Sequence, residues 1–280
     1  MRVFVEGVAV RAPGLGGWPE SRAVLAGIEA YRAAPAELPA SPLPPAERRR
    51  TAPTVKLALA LGIEAFAAAE RDPAETASVF ASSGGDGETI HQILVALASD
   101  ERHLSPTRFH NSVHNAPAGY WSIATRSHAP STSIGCHDAT FAAGLLEAAV
   151  QALVEDRAVA LVAYDAGYPE PLHSVRPIDA LFGTALVLVP SMSPRSFAQL
   201  EIELRPQGSD FSTMAEPALE SFRVGSPAGR SLPLLATLAR DAADTVMLEY
   251  IPGLMLAVSV EPVSSAPARM PRRQDAAAGV

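Results

Sequence analysis

The sequence predicts an α/β layered domain, and three observations carry that prediction. Helical spacing alternates with short apolar strands along the chain. The runs at 159–164 and 184–189 are continuously apolar, as strands buried on both faces are. The segment 54–71, rich in alanine and leucine, is apolar nearly all the way round, as expected of a helix covered on several sides.

The elements follow in order. Residues 2–11 alternate and are rich in valine, which predicts a strand. Residues 21–34 have helical spacing with Ser21 as N-cap. A proline-rich loop leads to Arg48, Arg49 and Arg50, and Thr54 opens the long helix. A strand at 77–81 is followed by Ser82-Ser83-Gly84-Gly85-Asp86-Gly87 and a helix over 88–99. That loop has no P-loop lysine and no full dinucleotide fingerprint, so it reads as a tight βα turn. After the block SPTRFHNSVHNAPAGYWSIAT (105–125) come a strand at 131–135 and a helix at 139–155. The strand at 199–204 alternates; beyond Pro206 the pattern weakens to a helix near 232–241 and strands at 246–250 and 254–260. Residues 263–280, rich in alanine, proline and arginine, read as a flexible tail after a domain spanning 1–262.

Composition narrows the function. A net charge of −8 gives no broad basic surface for nucleic acid. The single cysteine, Cys136, excludes an internal disulfide and fits a reducing compartment. The longest apolar run, 55–69, is broken by Lys56 and Glu64 and falls short of the ~20 residues a spanning helix needs. A cytoplasmic location with no membrane span is the expectation.

Three constellations invite chemistry. Cys136-His137-Asp138 holds every residue type of a cysteine triad, but adjacent side chains diverge and a working triad draws on distant segments. His110 and His114, four apart, would share a helix face as some zinc ligands do, yet no third ligand is evident. No metal and no cofactor is expected. Asp138 precedes an apolar helix, where a carboxylate accepts the first free N–H groups; a simple N-cap is the plainer of its two readings.

These pieces, in this order, resemble the N-terminal half of beta-ketoacyl synthases. VFVEGVAVRAPG looks like that family's first strand and turn, and RSHAPSTSIGCHDATFAAGLLEAAVQAL like its nucleophile turn and buried helix. ALVAYDAG and ALFGTALVLVPSMSPRSFAQLEIELRP look like the strands that follow, up to about Pro206. HNSVHNAPAGYWSIA and the ERRR run are typical of a short subfamily, beta-ketoacyl synthase-like N-terminal, found beside aryl-polyene-type genes. The resemblance implies a thiolase-like fold, a layered mixed sheet with helices on both faces, in which 207–262 is a divergent extension. It places Asp138, not Cys136, where the family has its catalytic cysteine. A carboxylate is a poor nucleophile and repels the malonyl group. The family's two C-terminal histidines have no counterpart, because residues 174–280 contain none.

The resemblance therefore implies a chain-length-factor-like subunit that forms a heterodimer with an active beta-ketoacyl synthase and, through it, meets acyl carrier protein. Phe109, Asn115, Tyr120, Trp121, Ser133, Ile134 and Phe141 are its candidates for partner contact or acyl-tunnel wall, ordinary core packing being the competing role. Arg48, Arg49 and Arg50 are candidates for the acidic carrier or for a solvated loop. The alternative is an acyltransferase or thioesterase in which Asp138, assisted by His137 or His114, activates water or an acceptor. A stand-alone acyl-binding protein is a third possibility.

Overall fold

Strand β1 (Arg2–Arg11) runs through the middle of a mixed sheet of eight strands. The computed structural model describes residues 1–263 except 40 and 209. The expected tail thus lies outside the described residues apart from Val263, whose N–H donates to the Phe197 carbonyl. After β1 come α1 (Trp18–Leu25), α2 (Pro45–Arg48) and α3 (Pro53–Ala68), then β2 (Ala77–Ala81), α4 (Gly87–Ala98), α5 (Pro106–Asn111) and α6 (Ala116–Thr125). Strand β3 (Ser131–Ile134) leads through the 3-10 turn His137–Ala139 into α7 (Thr140–Val154), β4 (Val159–Asp165) and α8 (Leu172–Val175). Next are β5 (Phe182–Val189), β6 (Ala198–Pro206) and α9 (Pro217–Gly225). The 3-10 turn Ala228–Ser231, α10 (Leu232–Arg240), β7 (Asp244–Glu249) and β8 (Leu254–Pro262) complete the chain.

The strand order is β3-β2-β4-β5-β1-β6-β8-β7. Only β3-β2-β4 pair in parallel; the rest are antiparallel. Residues beyond Pro206 therefore extend the same sheet, β8 pairing along the whole of β6.

Alternation explains how the central strands bury both faces. In β4, Val159, Leu161 and Ala163 join a core with α7, α10 and α1, while Ala160, Val162 and Tyr164 join a second core with α3 and α6. In β1 the phase changes: Val3 and Val5 face α7, and so do Val8 and Val10. A bulge between Val5 and Gly7 takes up the extra residue. The bulge seats Glu6, whose buried carboxylate accepts from Arg71 and the Ser193 hydroxyl. Burial pushes the Glu6 carboxyl up, but Arg71, Ser193 and Arg195 together hold it below its ordinary range.

Two local expectations are corrected. The first helix ends at Leu25, not 34, because Gly27 takes a left-handed φ of 76°. It starts earlier too, with Pro19 in the first turn, so Ser21 lies buried inside it and is not the N-cap. The 105–125 block splits into α5 and α6, which leaves His114 in the turn between them.

At Gly7 the sheet meets α3 so closely that a Cβ would lie 2.2 Å from the Ala65 carbonyl oxygen. Gly7→Ala should therefore cost about 1–3 kcal/mol through overpacking. Urea unfolding would read it as a lower midpoint at unchanged slope, and an unchanged midpoint would contradict this packing.

Candidate functional site

The turn between β3 and α7 is the place where the sequence concentrates chemistry. Thr140 shapes it: its Oγ1 accepts from the Cys136 N–H at 2.9 Å, and its hydroxyl donates to the His137 carbonyl at 2.6 Å. His137 is left in the left-handed region at φ 50°, a conformation that costs a non-glycine residue roughly 1–2 kcal/mol. Because Thr140 closes the turn, Asp138 is not the N-cap expected of it; no side chain caps α7.

Asp138 instead turns its carboxylate toward two arginines. Arg176 Nη2 donates to Oδ1 at 3.0 Å, and Arg230 Nη2 lies 3.8 Å from Oδ2. His137 Nδ1 is 3.5 Å from the same Oδ2, and its Nε2 meets Arg176 Nη1. Arg230 also donates to Glu249 at the end of β7. A cleft of about 400 Å³ opens beside this pair, lined by His137, Asp138, Val175, Arg176, Ile178 and Val224 among others.

The remaining candidates are dispersed. Cys136 is half-buried and does not line the cleft. His114 points the other way and contacts the Ser82 carbonyl through Nε2 at 2.8 Å, so it does not assist Asp138. His110 packs edge-on against Tyr120 and does not share a helix with His114, which removes the geometric basis for a metal pair. Among the described residues no group of three His, Cys, Asp or Glu is placed to hold a metal ion.

The candidate interface set divides by burial. Phe109 and Asn115 are exposed, and Ser133 and Ile134 are half-buried on β3, the sheet's edge strand. Tyr120, Trp121 and Phe141 are buried in the chain's own cores, Trp121 stacked on Phe66. For partner contact these three are corrected: their side chains pack inward, because α6 is laid on α3 and α7 on the sheet.

One residue to which the sequence drew no attention organises the site from beneath. Asp165 ends β4 completely buried. One oxygen accepts from the Ser83 N–H at 2.9 Å and from the Ser83 and Ser82 hydroxyls at 2.7 and 3.3 Å. The other accepts from the Ala228 N–H at 2.9 Å. Burial raises the Asp165 carboxyl to about 6, against the pull of those donors. The only sequence signal was an acid closing an otherwise apolar strand. Arg176 and Arg230 gave none. The glycine loop is thus a brace for Asp165; Asp86 is the N-cap of α4, accepting from the Thr89 N–H at 2.7 Å.

The family model described as beta-ketoacyl synthase, N-terminal domain, matches residues 18–239. A ketosynthase in complex with its chain length factor, from Xenorhabdus doucetiae, is similar at TM-score 0.68 and 24% identity, covering 92% of this chain and 99% of that one. The ishigamide ketosynthase/chain length factor is similar at TM-score 0.70 and 13% identity, over 94% and 100% of the two chains. A type II polyketide ketosynthase in complex with acyl-carrier protein gives TM-score 0.69 at 12% identity, over 94% and 99%. At these identities the likenesses establish the thiolase-like fold. No curated protein matches the chain.

The buried acid makes a pH prediction. With its native pKa near 6 and an ordinary value of 3.8, Asp165 holds its proton more tightly in the folded chain. Its contribution to stability is full below about pH 4 and is lost as pH rises through 6, by at most about 3 kcal/mol. Urea midpoints of the wild type minus those of Asp165→Asn should fall from pH 4 to pH 7. A flat difference would show that Asp165 does not titrate there.

Proposed function

The chain belongs to the beta-ketoacyl synthase N-terminal domain family, and on that premise we propose that it is a non-catalytic, chain-length-factor-like partner of an active ketosynthase in fatty-acid or aryl-polyene-type polyketide biosynthesis. The observation that carries this reading is the state of the turn before α7. A condensing enzyme needs a thiolate there, poised to take an acyl group. This chain offers a carboxylate held between two guanidinium groups, with its lone thiol outside the cleft and no histidine after His173.

A surface for the partner is supported independently. After Thr89 no residue of α4 is buried, although its sequence reads TIHQILVALA. Leu94, Val95 and Leu97 are exposed, and so is Phe109 on α5, against which α4 packs. A helix this apolar gains nothing from facing water, and a contiguous apolar patch marks a protein interface. Strand β3 adds an open sheet edge, because among the described residues it pairs only with β2. The reading assigns both features to the ketosynthase. Arg48, Arg49 and Arg50 are exposed and stay the candidate contact for an acidic acyl carrier protein. No helix among the described residues is long and apolar enough to cross a membrane.

The test is binding. Ketosynthases from the native cell should copurify with this chain, and Leu94→Asp with Val95→Asp should weaken the complex by about tenfold or more, as for anchors in a desolvated interface. Because both side chains are exposed, the variant should keep its thermal midpoint. A monodisperse monomer that captures no ketosynthase would sink the proposal.

A further inference from the structure

We propose that Arg230 and Arg176 form a charge latch on Asp138, which straps residues 226–249 across the turn that begins α7. This goes beyond the partner reading and does not rest on it. Arg230 rises from a rigid base. The Ala228 N–H is bound to buried Asp165, and the Ser231 hydroxyl donates back to the Ala228 carbonyl at 2.7 Å. Gly229 lies so close to α9 that a Cβ there would sit 2.3 Å from the Phe222 carbonyl oxygen. From that base the guanidinium spans from Asp138 to Glu249, with only 16% of the side chain exposed. Its Nε is buried and has no partner among the described residues.

Exposed ion pairs contribute little, because water and salt screen them. This group differs in being a network of two guanidiniums and two carboxylates, joined at a half-buried aspartate. Losing Asp138 would remove one of the two carboxylates that the mostly buried Arg230 guanidinium spans, and weakening the pairing of a buried charge is costly. The latch also explains how a left-handed His137 persists. Such a conformation survives only where its surroundings hold it, and Arg176 grips both His137 and Asp138. Residues 226–249 thereby pin the turn that holds Cys136, His137 and Asp138.

Hydrogen exchange and thermal unfolding of the full chain test the latch together, using Asp138→Asn, Arg230→Met and the double variant. Either single change should speed exchange of amides in both 137–140 and 228–231 by about tenfold, as local opening of one cooperative unit does. The double variant should lose no more thermal midpoint than the larger single loss, since partners in one network are not additive. Additive losses, or faster exchange in only one of the two segments, would overturn the latch. Should Arg230→Met fail to fold, Asp138→Asn alone decides the matter: faster exchange in both segments supports the latch, and unchanged exchange in either overturns it.

Discussion

The buried carboxylate of Asp165 is where segments far apart in the chain are made to meet. It closes β4, receives the Ser82-Ser83 loop that follows β2, and receives the backbone of the 3-10 turn at Ala228. A carboxyl group this deep is tolerated only because donors surround it. The position of the glycine loop, of α9 and of Arg230 all follow from this one group. One wall of the cleft beside Asp138, the stretch holding Val224, Gly225 and Pro227, leads into the turn at Ala228 that Asp165 holds.

Around that centre the chain keeps the family's architecture. Both cores are filled to the sheet, with Leu57, Leu59 and Leu61 of α3 on one face and Phe141, Leu145 and Ala149 of α7 on the other. The polar capacity near the start of α7 is spent on ion pairs. The apolar surplus lies instead on α4 and α5, outside the fold's own core. That exposed apolar face is what supports the proposal that the chain acts on a partner.

Much of this was legible in the residues. Strands 77–81, 159–164 and 184–189 were readable because both-face burial demands unbroken apolar runs, and the structure extends them by two residues at most. The α1 boundary was misread because helical spacing continues past Gly27, while a single left-handed glycine ends the helix. His110 and His114 do not share the helix face that their spacing suggests, because Pro117 opens a second helix and His114 sits in the turn before it, reaching the Ser82 carbonyl of a distant segment. For Asp138 the local pattern suggested a helix cap. Thr140 closes the turn instead, and the arginines that claim the carboxylate are 38 and 92 positions away. Local sequence carries caps and periods; it does not carry a network assembled from three places in the chain.

The central claim is that this subunit condenses nothing alone and acts through a ketosynthase. The direct measurement is malonyl-dependent elongation of an acyl carrier substrate, followed by mass spectrometry, with this chain alone, with a cognate ketosynthase alone, and with both. The account predicts no product from the chain alone and a change in product length or yield when it joins the ketosynthase. Elongated product from the isolated chain would contradict it.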